Sequence, residues 1–331
     1  MTADVLLPGR SVFLGGLWCF VASLTFLNVA RTGQAQFGDA PTGAELGEPR
    51  TTKWKVGVIV TAPSGPCRGL FATVPVPTDW PEQKVRIVKE EVSPSVKNVR
   101  YRVLDNGVKQ MLMQIPQLKA GETAQALITF EIDKHDILPP KQTDNFMLAP
   151  DIPRDIRKYL SASPLIEVRH PKIVALAKQL HRPDATAWEQ VETIYDTVRE
   201  KVEYKNGDLK GAVAALTDGD GDCEELTSLF IAVCRANGIP SRTVWVPGHC
   251  YPEFYLQDDK GEGYWFPCQA AGSRDFGGIP DQRPILQKGD NFRVPEVRER
   301  QRYVAEFLKG STGRGATKPQ VKWVRQVVLD D

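Results

Sequence analysis

The sequence predicts an α+β protein, an all-β sandwich followed by helices packed on an antiparallel sheet. Three observations carry that expectation. Between residues 51 and 133 apolar side chains recur with period two in short β-branched runs. From Pro171 onward they recur with helical period. The helices then precede a last group of strands instead of alternating with them, which argues against a parallel α/β sheet.

Residues 1–35 read as a targeting segment. Arg10 precedes an apolar stretch, SVFLGGLWCFVASLTFLNVA (11–30), with no charge before Arg31, and Gly33 and Ala35 supply small residues at a cleavage point. The length of the stretch lies between a secretory signal and a membrane span, and the signal peptide is favoured over a membrane anchor. Either places the rest of the chain outside the cytoplasm, in the periplasm, the cell envelope or the extracellular space. Residues 36–50, small, polar and rich in Pro and Gly, read as a linker.

Residues 51–135 form the expected sandwich. WKVGVIV (54–60), KVRIVKEEV (84–92), NVRYRVL (98–104), KQMLMQIP (109–116) and AQALITFEI (124–132) are its strands, with turn residues such as Asp105-Asn106-Gly107 between them. Residues 134–152 lose periodicity. The second domain, 150–331, opens with two amphipathic helices, one begun by Pro171 and one carrying Trp188, Val191, Ile194, Tyr195 and Val198. SRTVWVP (241–247), HCYPEFYL (249–256) and GYWFPCQA (263–270) read as strands, and PQVKWVRQVVLDD (319–331) as a closing strand.

Composition excludes some functions. With 42 basic and 41 acidic residues the net charge is +1, and no basic cluster with interleaved aromatics appears. Nucleic acid is therefore not an expected partner. Of six cysteines, Cys19 lies in the targeting segment, leaving Cys67, Cys223, Cys234, Cys250 and Cys268. An odd count in an exported chain leaves at least one thiol without an internal partner.

The stretch DGDGDCEELTSLF (218–230) offers two chemistries. A calcium loop starting at Asp218 needs glycine at its sixth position and glutamate at its twelfth, where this chain has Cys223 and Leu229. Read as a helix start, the same stretch is consistent. Leu226, Leu229, Phe230 and Val233 make an apolar stripe, Asp222 is an N-cap, and Glu225 completes a capping box. Cys223 then occupies the first helical position, where free N–H groups and the helix dipole favour a thiolate. A buried, inert cysteine is the competing reading.

Partners for a nucleophile come from the later strands. If Leu256 lies near Glu262 in a hairpin, His249 falls opposite Gln269, giving a nucleophile, a base and an orienting amide. The same register sets Cys250 opposite Cys268, with Cβ atoms roughly 4.5–5.5 Å apart. That pair is either a disulfide or two small apolar groups in contact. Zinc held by Cys223, His249 and Cys268 lacks any close-spaced ligand pair, so neither a metal nor another cofactor is expected. Tyr204 is a candidate oxyanion donor beside the Cys223 N–H, against a simple packing or surface role.

Gly221-Asp222-Cys223, the helix after it, Ala236-Asn237-Gly238-Ile239-Pro240, Gly248-His249 opening an aromatic strand, and Tyr264-Trp265-Phe266-Pro267 together resemble the transglutaminase-like superfamily, relatives of papain-type cysteine proteases. The resemblance spans about residues 160–275. It implies a papain-like core after an immunoglobulin-like sandwich, with Cys223 as nucleophile and His249 as base. Where that family usually has aspartate, this chain has Gln269, and Tyr251 stands where tryptophan is frequent. The implied function is an exported cysteine peptidase or amidase acting on polypeptide, with a crosslinking acyltransferase as its close variant. The alternative is a catalytically impaired module that binds polypeptide or envelope components.

Overall fold

A computed structural model of the chain describes residues 44–329. The expected targeting segment, Cys19 included, lies outside the described residues. Six strands come first: β1 (Glu45–Thr61), β2 (Cys67–Val76), β3 (Gln83–Val92), β4 (Asn98–Val103), β5 (Lys109–Leu118) and β6 (Thr123–Leu138). The second region holds α1 (Arg154–Arg157), α2 (Pro171–Leu180), α3 (Ala187–Lys201), β7 (Glu203–Tyr204), α4 (Ala212–Asp218), β8 (Asp220–Gly221) and α5 (Cys223–Ala236). Strands β9 (Ser241–Val246), β10 (His249–Gln257), β11 (Gly263–Pro267) and β12 (Gln287–Lys288) follow, and β13 (Phe307–Thr312) and β14 (Gln320–Val328) end the chain.

The sandwich consists of two four-stranded sheets, ordered β14-β1-β6-β3 and β13-β2-β5-β4. Val56, Val58 and Val60 from β1 meet Ala72, Val74, Met111 and Met113 from the facing sheet in one buried cluster. Each of these Val and Met side chains, fully buried, contributes about 1.5–3 kcal/mol.

Three expectations need correction here. The stretch read as a linker becomes strand from Glu45, because its main chain pairs with residues as far as Leu138 on β6. Strand β2 had no counterpart in the reading, although Leu70, Ala72, Val74 and Val76 alternate and are all buried. Gly69 and Pro75 hid that period. Pro75 is tolerated because β13 reaches only to Thr73, so no partner awaits its missing N–H on that side. Finally, the chain end assigned to the second domain returns to the first: β13 pairs with β2 and β14 with β1, each closing an exposed sheet edge.

In the second region the sheet order is β11-β10-β9-β12, antiparallel throughout. Helix α5 lies against β10 and β9 and is touched by α2, α3 and α4. It is therefore buried on nearly every side, Ile231, Ala232 and Cys234 included, and not along one stripe alone. Its far end is fixed by Arg235, whose guanidinium donates to the Ser161 and Ser241 carbonyls at 2.7 Å and pairs with Asp290. The loop from Ile279 to Lys288 is strapped to the sandwich. Ile279 exchanges main-chain hydrogen bonds with Ile137, Lys134 Nζ donates to the Asp281 and Arg283 carbonyls, and Lys288 Nζ binds Glu82 at 2.5 Å and Glu253 at 2.7 Å. Among the described residues no helix is long and apolar enough to cross a membrane.

Candidate active site

The site is assembled at the front of α5. Asp222 caps the helix, accepting from Glu224 N at 2.7 Å, while Glu225 reaches back to Asp222 N, so the capping box forms. Glu225 also accepts from Lys210 N at 2.9 Å, which ties the preceding loop to the helix tip. Asp218 and Asp220 are engaged by Lys210, and Asp220 also by Lys205. Cys223, the first helical residue, is partly exposed, whereas the other free thiols among the described residues, Cys67, Cys234, Cys250 and Cys268, are buried. Its N–H belongs to the first turn, where no intrahelical acceptor exists.

His249 is delivered by a tight hairpin. Val246 pairs with His249, and Gly248, at φ 71°, makes the two-residue turn between β9 and β10. The His249 ring lies close enough to the Cys223 thiol for the two to shift each other's protonation. The ring's Nε2 lies 2.8 Å from Gln269 Oε1. Three residues singled out in the sequence thus meet.

They do not meet through the expected register. Strand β10 pairs Leu256 with Tyr264 and Gln257 with Gly263, which shifts the ladder by two residues. Asp258 anchors the turn one residue further along the chain, its carboxylate accepting from Lys260 N and Glu262 N. The ladder ends at Glu253–Pro267, so Gln269 lies past the end of β11 and reaches His249 from there through its side chain.

The Cys250–Cys268 disulfide is lost with the register. Both thiols are free, and Cys268 N donates to Pro252 O. Cys250 turns instead toward the tip of α5, its Sγ 3.6 Å from the Cys223 carbonyl oxygen and 3.8 Å from Thr227 Oγ1. Sequence reasoning missed this neighbour because it placed Cys250 on the far face. Its position directly after the histidine was the available signal.

Electrostatics favour an ion pair. The Cys223 thiol is lowered to about 4, first by the hydrogen bond from Cys250 and then, against the cost of burial, by His249. For His249 burial works to lower the value, but the hydrogen bonds with Cys223 and Gln269 prevail and raise it above its ordinary 6.5. Burial pushes the adjacent Glu224 carboxyl up to about 7, opposed by its ion pair with Arg302. A thiolate beside an imidazolium can attack a carbonyl carbon and then protonate a leaving amine.

Gln269 is itself held from behind. Its carbonyl accepts from Tyr195 OH and from Arg199, each at 2.9 Å, and Arg199 also binds the Gly272 carbonyl at 2.8 Å. Neither α3 residue is among the site residues expected from the sequence, where Tyr195 belongs to the apolar positions of its helix. Tyr204 lies on β7, paired with Gly221, so it stands near the helix tip. Its ring is 53% exposed and its hydroxyl donates to Asn206 Oδ1 at 3.1 Å.

A cleft of about 580 Å³ opens beside Gln269. The sandwich supplies Thr52, Trp54 and Val327 to its wall, and the strapped loop supplies Asp281, Gln282 and Arg283. Thr52 Oγ1, Trp54 Nε1 and Gln282 Oε1 are buried without a hydrogen-bond partner.

Comparison with known proteins agrees with this architecture. Residues 174–270 match the model of the transglutaminase-like superfamily. A crystal structure of a candidate cysteine protease from Cytophaga hutchinsonii superposes with a TM-score of 0.56 at 18% identity, covering 87% of this chain and 94% of that one. A candidate protease from Parabacteroides distasonis reaches only 0.29 at 14% identity, covering 66% of this chain and 43% of that one, and carries no argument. No curated protein sequence matches.

Proposed function

Starting from a chain whose residues 174–270 belong to the transglutaminase-like superfamily, we propose that it is an exported cysteine hydrolase cleaving amide bonds in polypeptides. The observation that carries this reading is Cys223 at the capped start of α5, with the next strand's His249 held by Gln269 at 2.8 Å and Cys250 against the Cys223 carbonyl at 3.6 Å. In the proposed reaction the Cys223 sulfur attacks an amide carbonyl, and the Cys223 N–H at the helix start receives the developing oxyanion. His249 protonates the leaving amine, giving a thioester. It then takes a proton from water, which attacks the thioester and releases the acid.

Polypeptide as substrate is supported by the open cleft beside Gln269, which the polar residues Ser273, Asp281 and Arg283 help to line. Export is supported by the apolar segment 11–30. The second reading, an impaired module that binds polypeptide without turnover, is favoured by one observation, the neutral Gln269 where a carboxylate would stabilise imidazolium.

The test is incubation of the mature chain with unfolded casein, with and without dansylcadaverine. Hydrolysis predicts new amino groups, none with Cys223→Ala, and little amine incorporation. Dominant incorporation would make the protein a transferase. Product formation that survives Cys223→Ala would overturn the site.

A further inference from the structure

The environment of Cys250 asks for an explanation that amide hydrolysis does not supply. Its side chain is 1% exposed, so it meets neither solvent nor substrate. It nevertheless abandons the apolar core that takes Cys268 and Cys234 and packs against the helix tip. Thr227 Oγ1, one turn into α5, lies 3.8 Å from its sulfur and the Cys223 carbonyl 3.6 Å, so the thiol is held at the first turn of the helix that carries the nucleophile. Two free thiols, one on a partly exposed and one on a buried residue, thereby belong to residues that touch at the junction of α5 and β10.

We infer that Cys223 and Cys250 form an oxidative modification site, in which a hydroperoxide oxidises Cys223 and Cys250 captures the product as a reversible disulfide. This rests on the reading of Cys223 as a reactive thiolate. The Cys223 sulfur attacks the outer peroxide oxygen, the O–O bond breaks, and the leaving oxygen takes a proton to give an alcohol, or water from hydrogen peroxide. Cys223 is then a sulfenic acid. The Cys250 sulfur next bonds to the Cys223 sulfur, the S–O bond breaks, and the departing hydroxide leaves as water with the Cys250 proton. Two thiols lose two electrons to one peroxide.

The order of reaction follows from the surroundings. Only Cys223 is open to the oxidant. Cys250 stays protonated while its neighbour is an anion, because burial first, and then the Cys223 charge, hold its thiol well above the usual range. Conversion of the thiolate to a neutral sulfenic acid removes that second effect, so Cys250 becomes a better nucleophile once it is needed. Further oxidation of the nucleophile to the irreversible sulfinic acid is then pre-empted.

The experiment treats the mature protein with a several-fold molar excess of hydrogen peroxide and maps its tryptic peptides by mass spectrometry. The expected result is loss of two hydrogens and one linked pair, 211–235 with 243–260, joined through Cys223 and Cys250. Dithiothreitol should restore full alkylation of Cys223, whereas Cys250→Ser should gain two or three oxygens on Cys223, and dithiothreitol should not reverse that. A wild-type protein that accumulates sulfinic acid on Cys223 without the linked pair would overturn the capture step alone. A Cys223 that peroxide leaves untouched at neutral pH would overturn the thiolate reading beneath it.

Discussion

The Nε2 of His249 lies 2.8 Å from Oε1 of Gln269, so the imidazole is oriented by a neutral amide and not by a carboxylate. The amide fixes the tautomer by accepting the ring N–H, yet it adds no charge to balance imidazolium. The charge of the pair must therefore be stabilised from the cysteine side.

The first prediction concerns this amide. Gln269→Ala should lower turnover about tenfold, the equivalent of one hydrogen bond worth roughly 1.4 kcal/mol. Gln269→Asp should raise the His249 value, because a carboxylate favours imidazolium. Acylation needs thiolate and imidazolium together, so its rate should rise through about pH 4 and fall above the ordinary histidine value of 6.5. With Gln269→Asp the falling limb should move to higher pH and the rising limb should stay. Steady-state rates across pH check both, and an unmoved falling limb would mean that Gln269 does not orient the base.

A second prediction concerns Cys250, the largest cause of the lowered thiol. Cys250→Ala should raise the Cys223 value, whereas Cys250→Ser retains a donor and should return most of the shift. Equal values in both variants, read from the thiolate absorbance in the ultraviolet, would remove Cys250 from the activation.

Asp290 offers a stability test. Its carboxylate pairs with the Arg235 guanidinium, with side chains 3% and 1% exposed. Asp290→Ala leaves a buried cation alone and should cost about 3–5 kcal/mol in urea unfolding. A loss below about 1 kcal/mol would be that of a solvent-screened pair and would contradict the burial.

The last strand provides a test of domain organisation. Ending the chain after Lys318 removes β14 and exposes the edge of β1. Hydrogen exchange should then accelerate in residues 53–61 while α5 stays protected. Faster exchange confined to α5 would place the C-terminus with the helical core instead.

Much of this was legible in the sequence, and for identifiable reasons. The stripe on α5 and the Asp222–Glu225 box are local signals, and both formed. The meeting of His249 with Gln269 was legible because a hairpin brings the start of β10 near the chain that leaves β11, even though the register differs by two residues. The Cys250–Cys268 pairing failed on the same slip, since direct opposition needs the register itself and Asp258 set that through its side chain. The return of β13 and β14 to the sandwich is a pairing across more than two hundred residues, for which alternation gives no partner. Tyr195 and Arg199 act on Gln269 through its carbonyl, and nothing in a sequence marks which carbonyl a side chain will reach.

The central claim is that Cys223 is a thiolate at neutral pH, paired with His249. Its most direct test is the rate of Cys223 alkylation by iodoacetamide across pH, followed by peptide mass spectrometry. The account predicts a half-point near 4 and a flat rate through neutrality, with His249→Ala moving the half-point upward. A half-point near the free value of about 8.5, unchanged by His249→Ala, would contradict it.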